Sequence, residues 1–245
     1  MISKIYFLTP NRRYIRVMKK SVFIYPLLTA FLAAGCGNNK TSDDKTIDTM
    51  ATAKAEQPVN TNNKTILFFG DSLTAGYGLD DPSQAFPGVI KARIDSLKLP
   101  YNVVNAGVSG ETSAGGLSRI DWILKQPVDI FMLELGANDG LRGTSVKETM
   151  ANLQAIIDKV KAKYPTAKII LLGMQVPPSM GATYVNDFKG VFPKLAGKNH
   201  IGLVPFLLDH VGGETKLNQN DGIHPNAAGA RIVANNVWAV LKGDL

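Results

Sequence analysis

The sequence predicts a three-layer α/β/α domain built on a five-stranded parallel sheet, and three observations predict it. Five short apolar runs, Thr65–Phe69, Tyr101–Asn105, Ile130–Leu135, Lys168–Met174 and Ile201–Val204, have the length of strands. Segments with helical apolar spacing separate them, and strand–helix alternation argues for a parallel sheet covered on both faces. The first run, Ile66-Leu67-Phe68-Phe69, is apolar without alternation, as a strand buried on both faces is. A chain of 245 residues that is 45% hydrophobic and 19% charged is enough for one such domain with a large core and some extra sequence. No internal repeat suggests a solenoid.

The extra sequence lies at the N-terminus. Met18-Lys19-Lys20 gives a basic start, and Val22 to Ala34 is an apolar run of the length found in export signals. It is too short to span a bilayer comfortably, which takes about 20 apolar residues. The run ends in Leu32-Ala33-Ala34-Gly35-Cys36, which resembles a bacterial lipobox, where the cysteine becomes the lipidated first residue after cleavage. Cys36 is the single cysteine, so an intramolecular disulfide is excluded and lipidation gives the thiol a use. Gly37 to Asn63 is small and polar and cannot bury enough surface to offset its ordering entropy. The expected organisation is therefore a signal peptide over 1–35, a lipidated cysteine and flexible linker over 36–63, and a folded domain over 64–245. Met1 and Met18 are both open as the start, with 1–17 an upstream extension in the second case. The expected location is that of an exported bacterial lipoprotein, membrane-anchored on the periplasmic side or at the cell surface.

The net charge of +7 does not point to nucleic acid. Six basic and no acidic residues precede Cys36, so of 27 basic residues 21 remain to face 20 acidic ones. A nucleic-acid footprint needs its basic excess on the folded domain.

In chain order, Ile90, Ile94 and Leu97 mark a first helix, and Leu117, Ile120 and Leu124 a second. The clearest is Ser145 to Tyr164, with Val146, Met150, Leu153, Ile157 and Val160 on one face and Ser145 and Glu148 at capping-box spacing. Val185, Phe188 and Phe192 mark a weaker one. The last is predicted over Pro225–Leu241, with Ile232, Val233, Val237 and Val240 facing inward and Pro225 as its first residue.

Four segments carry candidate chemistry. Gly70-Asp71-Ser72 ends the first apolar run and puts a hydroxyl just past a buried strand, where open α/β sheets place their ligands. Asn105-Ala106-Gly107-Val108-Ser109-Gly110 follows the second strand, and Gly136-Ala137-Asn138-Asp139-Gly140 the third. In a parallel sheet all three emerge at one edge. Glycine backbone admits an N–H close to substrate, and an asparagine adds a further donor for a developing oxyanion. In Asp221-Gly222-Ile223-His224-Pro225, the carboxylate three residues before the imidazole can reach Nδ1 and leave Nε2 free as a base. Each segment alone also reads as an ordinary turn; their convergence is what argues for a site. His200 and His210 have no such partner nearby and read as loop or surface histidines.

Gly70-Asp71-Ser72-Leu73, Gly110, Gly136-Ala137-Asn138-Asp139 and Asp221-Gly222-Ile223-His224-Pro225 resemble, in order and spacing, the blocks of the GDSL or SGNH hydrolase family. The stretches Asp71 to Tyr77, Ser109 to Ser113, Asn138 to Gly143 and Asp221 to Asn226 are most similar to its bacterial thioesterase/lysophospholipase/arylesterase group. The resemblance implies a flavodoxin-like α/β/α fold with Ser72 as nucleophile, His224 as general base and Asp221 orienting it. It also implies an oxyanion hole made by the N–H groups of Ser72 and Gly110 with the Asn138 side chain. No metal or organic cofactor is implied. The expected function is hydrolysis of lipid-like or aryl esters or thioesters through an acyl-serine, by a monomer whose partners are its ester substrate and, through the lipid, a membrane. A carbohydrate O-acetyl esterase is the alternative within enzymes, and a flavodoxin-like binding module the alternative outside them.

Overall fold

The computed structural model describes residues 63–245. The expected signal peptide, Cys36 and all of the expected linker but Asn63 lie outside the described residues. Five strands form one parallel sheet in the order β2-β1-β3-β4-β5. They are β1 (Lys64–Gly70), β2 (Tyr101–Gly107), β3 (Ile130–Glu134), β4 (Lys168–Leu172) and β5 (Gly202–Val204). The three-layer expectation holds. Phe68 and Phe69 are both fully buried although adjacent strand residues point to opposite faces, so helices must cover both sides. Phe68 meets Phe86 of α2 (Phe86–Ser96) edge-on, whereas Phe69 lies under Arg119 of α3 (Ser113–Ile123). α2 packs on α8 (Ala227–Leu241), while α3 packs on α5 (Val146–Lys163), which touches α7 (Val191–Asn199).

The strand order decides where a site can form. β1 pairs with β2 on one side and β3 on the other, so the chain winds away in both directions from β1 and leaves a crevice at its carboxyl end. In register, Gly70 lies beside Gly107 of β2 and Glu134 of β3. The loops that follow these three residues therefore leave the sheet at one level.

Several sequence expectations shift. β4 ends at Leu172, not Met174, and β3 at Glu134, not Leu135. Ser145 sits at the N-cap of α5, but its side chain caps nothing; its carbonyl takes the Thr149 N–H instead. The apolar positions Val185, Phe188 and Phe192 belong to two helices, α6 (Ala182–Lys189) and α7, divided at Gly190. Pro225 is not in the last helix. It forms an antiparallel bridge with Asn218, and α8 starts after Asn226, whose side chain accepts the N–H groups of Ala228 and Gly229. The buried stripe of α8 is accordingly Ala230, Val233, Ala234, Val237 and Leu241, with Ile232 and Val240 only half-buried. A count of large apolar residues passes over the two alanines, whose small side chains let a helix lie close to its neighbours.

Candidate active site

Ser72 opens the short helix α1 (Ser72–Ala75), directly after β1. Asp71 is its N-cap and accepts the Leu73 N–H on Oδ1 at 3.0 Å. A side chain at Gly70 has no room: a Cβ there would sit 2.2 Å from Thr74 Oγ1 and 2.5 Å from Glu134 Oε2. This glycine is required by close approach, because Thr74 and Glu134 fold back against the end of the strand.

Ser72 Oγ lies 2.9 Å from His224 Nε2, and His224 Nδ1 lies 2.7 Å from Asp221 Oδ2. An ionised carboxylate only accepts, so Nδ1 carries the proton, and Nε2 is left to accept from the serine hydroxyl. The Asp221–His224 turn needs Gly222 at φ +70°, and Asp221 Oδ1 accepts the N–H groups of Ile223 and His224 at 2.9 and 3.0 Å. These donors, the His224 N–H first, then its imidazole and the Ile223 N–H, lower the Asp221 pKa to about 2. The Tyr77 ring lies 4.8 Å from the imidazole, centroid to centroid. Gln219 ties the two segments together: its Nε2 donates to Tyr77 O at 2.7 Å and to Pro225 O at 3.1 Å.

The other two loops meet the serine as their register implies. Among the described residues the N–H groups of Ser72 and Gly110 donate to no protein acceptor. Gly110 has φ +79°, in the left-handed region, and a Cβ there would meet open space but for Arg142 Nη2 at 4.0 Å. Arg142 donates to Gly110 O at 3.0 Å and so fixes that peptide. Arg119 holds the same loop from below, pairing with Glu111, donating to Ala106 O at 2.9 Å and stacking 4.1 Å over the Phe69 ring. Asn138 stands in the first turn of α4 (Ala137–Leu141), and its Nδ2 donates to both Glu111 O and Asp71 Oδ2 at 3.0 Å. Both amide hydrogens are thus engaged, so the donor is held firmly and meets a third acceptor only by sharing. Asp139 anchors α4 from behind, accepting from Ser113 N at 2.8 Å and from the Ser113 and Thr149 hydroxyls.

A cavity of about 500 Å³ opens beside this cluster. Ser72, Asn138 and His224 share its wall with the apolar side chains of Leu141, Met174, Val176, Phe206, Leu208 and Ile223. The five candidate-site positions in the folded domain, Ser72, Gly110, Asn138, Asp221 and His224, lie in these three loops and the turn before α8. Cys36 lies outside the described residues. His200 caps the end of α7 and His210 is largely exposed, away from the serine–imidazole contact. Among the described residues no group of three or more His, Cys, Asp or Glu side chains is arranged to hold a metal ion.

Sequence reasoning missed Glu134, Thr74, Arg119, Gln219 and Tyr77. Only Glu134 left a readable signal, an acid inside an otherwise apolar run. The rest are distant in sequence from what they support.

A model of the GDSL-like Lipase/Acylhydrolase family matches residues 68–232. The chain is 41% identical over 180 residues to Esterase TesA of Pseudomonas aeruginosa, covering 73% of this chain and 88% of that protein. It is 38% identical over 172 residues to Thioesterase 1/protease 1/lysophospholipase L1 of Escherichia coli, covering 70% and 80% respectively. A crystal structure of TesA matches with a TM-score of 0.71 at 40% identity, covering 74% of this chain and 100% of the other.

Proposed function

The chain belongs to the GDSL-like lipase/acylhydrolase family and is a serine ester hydrolase, and from that premise we propose that Ser72 is its nucleophile, His224 its general base and Asp221 the carboxylate that orients the base. The observation that carries this reading is the unbroken chain from Asp221 through His224 to Ser72, at 2.7 and 2.9 Å. Nε2 takes the hydroxyl proton as Oγ attacks the carbonyl carbon. His224 then returns the proton to the departing alcohol or thiol, leaving an acyl-serine. Water, deprotonated by the same nitrogen, attacks the acyl carbon and releases the acid. The negative oxygen formed in each step falls to the N–H groups of Ser72 and Gly110 and to Asn138 Nδ2. Donors fixed in advance are worth about 10²–10³ each in kcat, because they need no rearrangement as charge develops. With enzyme activity established by family, the binding-module alternative is set aside.

The substrate class follows from the cavity and the kinship together. A volume of about 500 Å³ walled largely by apolar side chains suits an acyl chain of several carbons. An acetyl group would leave most of that apolar wall against water, which disfavours the O-acetyl esterase reading. Lipid-like or aryl esters and thioesters fit best, and relatives named esterase and thioesterase/lysophospholipase support that class. The lipobox-like Leu32 to Cys36 supports anchoring by lipid to a bacterial membrane after export.

A fluorophosphonate should label Ser72 in the wild type and leave Ser72→Ala unlabelled. Across p-nitrophenyl esters, kcat/KM should rise from acetate toward medium chains. Labelling elsewhere would overturn the nucleophile, and a profile that peaks at acetate would restore the O-acetyl reading.

A further inference from the structure

Glu134 is a buried acid that the reaction above does not use. It ends β3 with no exposed surface, beside Gly70 in register. Its Oε2 accepts two hydrogen bonds, from Asp71 N at 3.0 Å and Thr74 Oγ1 at 2.9 Å. Its Oε1 is fully buried and has no donor among the described residues. Next to it stands a second buried carboxyl, Asp71, whose Oδ1 accepts from Leu73 N and whose Oδ2 accepts from Asn138 Nδ2. Asp71 is therefore the link between Glu134 and the proposed oxyanion donor.

Among the described residues no cation pairs with either carboxyl. From α3, Arg119 is committed to Glu111 and reaches toward this site only as far as Gly70 O, at 3.5 Å. From α4, Asp139 turns to Ser113 and Thr149. From the turn before α8, His224 acts on Asp71 by charge alone, and it is held by Ser72 and Asp221. From α1, Thr74 offers only its hydroxyl. Two adjacent ionised carboxyls in such a place would repel each other and leave Oε1 as an unsatisfied charged atom. One proton removes both faults. Both oxygens of Asp71 already accept a hydrogen bond and Oε1 accepts none, so Oε1 is where the proton belongs.

We propose that Glu134 is a positioning residue that keeps a proton on Oε1 at neutral pH and donates it to the Asp71 carboxylate, which in turn holds Asn138 Nδ2 in place for the oxyanion. Its effect on rate rests on the reading of Asn138 as an oxyanion donor; the protonation itself does not. Burial, with the Asp71 charge beside it, pushes the Glu134 carboxyl well above its ordinary range. The shared proton has a second consequence. It draws negative charge off Asp71, whose carboxylate would otherwise face the forming oxyanion across a single amide group.

Glu134→Gln in the full chain is the discriminating variant, because a glutamine NH2 can donate to Asp71 while its carbonyl still accepts from Asp71 N and Thr74. In infrared difference spectra at neutral pH, wild type should show a carboxylic-acid C=O stretch that Glu134→Gln lacks. The thermal midpoint gives a second reading. An unfolded glutamate ionises near 4.5, whereas the folded one stays protonated to higher pH, so wild-type stability falls as pH rises above that value. The midpoint of Glu134→Gln relative to wild type should therefore climb between about pH 4.5 and neutrality. In kinetics at neutral pH, the glutamine variant should keep kcat within about threefold at unchanged KM. Glu134→Leu, which cannot donate, should lose kcat about tenfold or more. Wild type should lose kcat on the alkaline side as Glu134 ionises, and the glutamine variant should not. Absence of the acid band, or a midpoint difference that is flat with pH, overturns the protonation. An acid band together with a loss of about a hundredfold or more in Glu134→Gln overturns the positioning role. Failure of Ser72 to label would leave the infrared and thermal readings intact, so the two readings fail separately.

Discussion

At the residue scale the site depends on a few donors and acceptors, each held by a neighbour with its own reason to be there. Ser72→Ala and His224→Ala should each lower kcat by about 10³ or more, since nucleophile and base act as one unit. Near-wild-type turnover of p-nitrophenyl esters by Ser72→Ala would contradict the mechanism. Asn138→Ala should lower kcat by about 10²–10³ with KM nearly constant, because its donor matters most when charge has formed. A change confined to KM would move Asn138 to substrate binding. The pH dependence has a definite sign. Asp221, with its pKa lowered to about 2, stays ionised throughout the working range. Asp221 therefore adds no proton to the acid limb of kcat/KM, and a stopped-assay pH profile should show a one-proton limb. A two-proton limb would mean that a second group near the serine titrates there.

At the element scale the sheet register and the close approach of α3 set the precision of the site. Gly116 of α3 has no space for a side chain: a Cβ would lie 2.4 Å from Leu135 Cδ1 and 3.1 Å from the Phe69 ring. Because Leu135 and Phe69 are themselves fully buried, neither has room to yield. Gly116→Val should lose about 1–3 kcal/mol by overpacking. The check is a lower urea midpoint at unchanged slope, and a midpoint at or above wild type would show that the Leu135 side chain can turn away. The same contact explains how Arg119, one turn later on α3, comes to lie over Phe69 and reach the loop that carries Gly110.

At the scale of the whole molecule the open question is where the enzyme works. If Cys36 carries lipid, the 27 residues from Gly37 to Asn63 join that anchor to the domain. Such an anchor would raise the enzyme's effective concentration against amphiphilic esters at the bilayer. Lysophospholipids or similar esters are then favoured over cytosolic acyl-CoA. In a bacterial host, wild type should partition into detergent-extracted membranes, and Cys36→Ser should lose both lipid and signal-peptidase cleavage. Recovery of wild type as a soluble, unmodified protein would remove the anchor and the substrate argument that depends on it.

The sequence alone determined the alternation of strands and helices, the four blocks that converge on one sheet edge, and the pairing of Asp221 with His224. These are local in origin: apolar periodicity reports burial, and a carboxylate three residues from an imidazole needs only one turn to reach it. Tertiary structure decided everything that depends on residues far apart in the chain. Only the order β2-β1-β3 puts Gly107 and Glu134 on either side of Gly70. Only packing brings Gln219 to the Tyr77 carbonyl and Arg119 under the Gly110 loop. Glu134 shows the difference most plainly. In the sequence it is an odd acid in an apolar strand, and burial beside Asp71, 63 residues away, turns it into a group whose charge state is set by its neighbours, because desolvation and the Asp71 charge penalise the ion more than the two donors on Oε2 favour it.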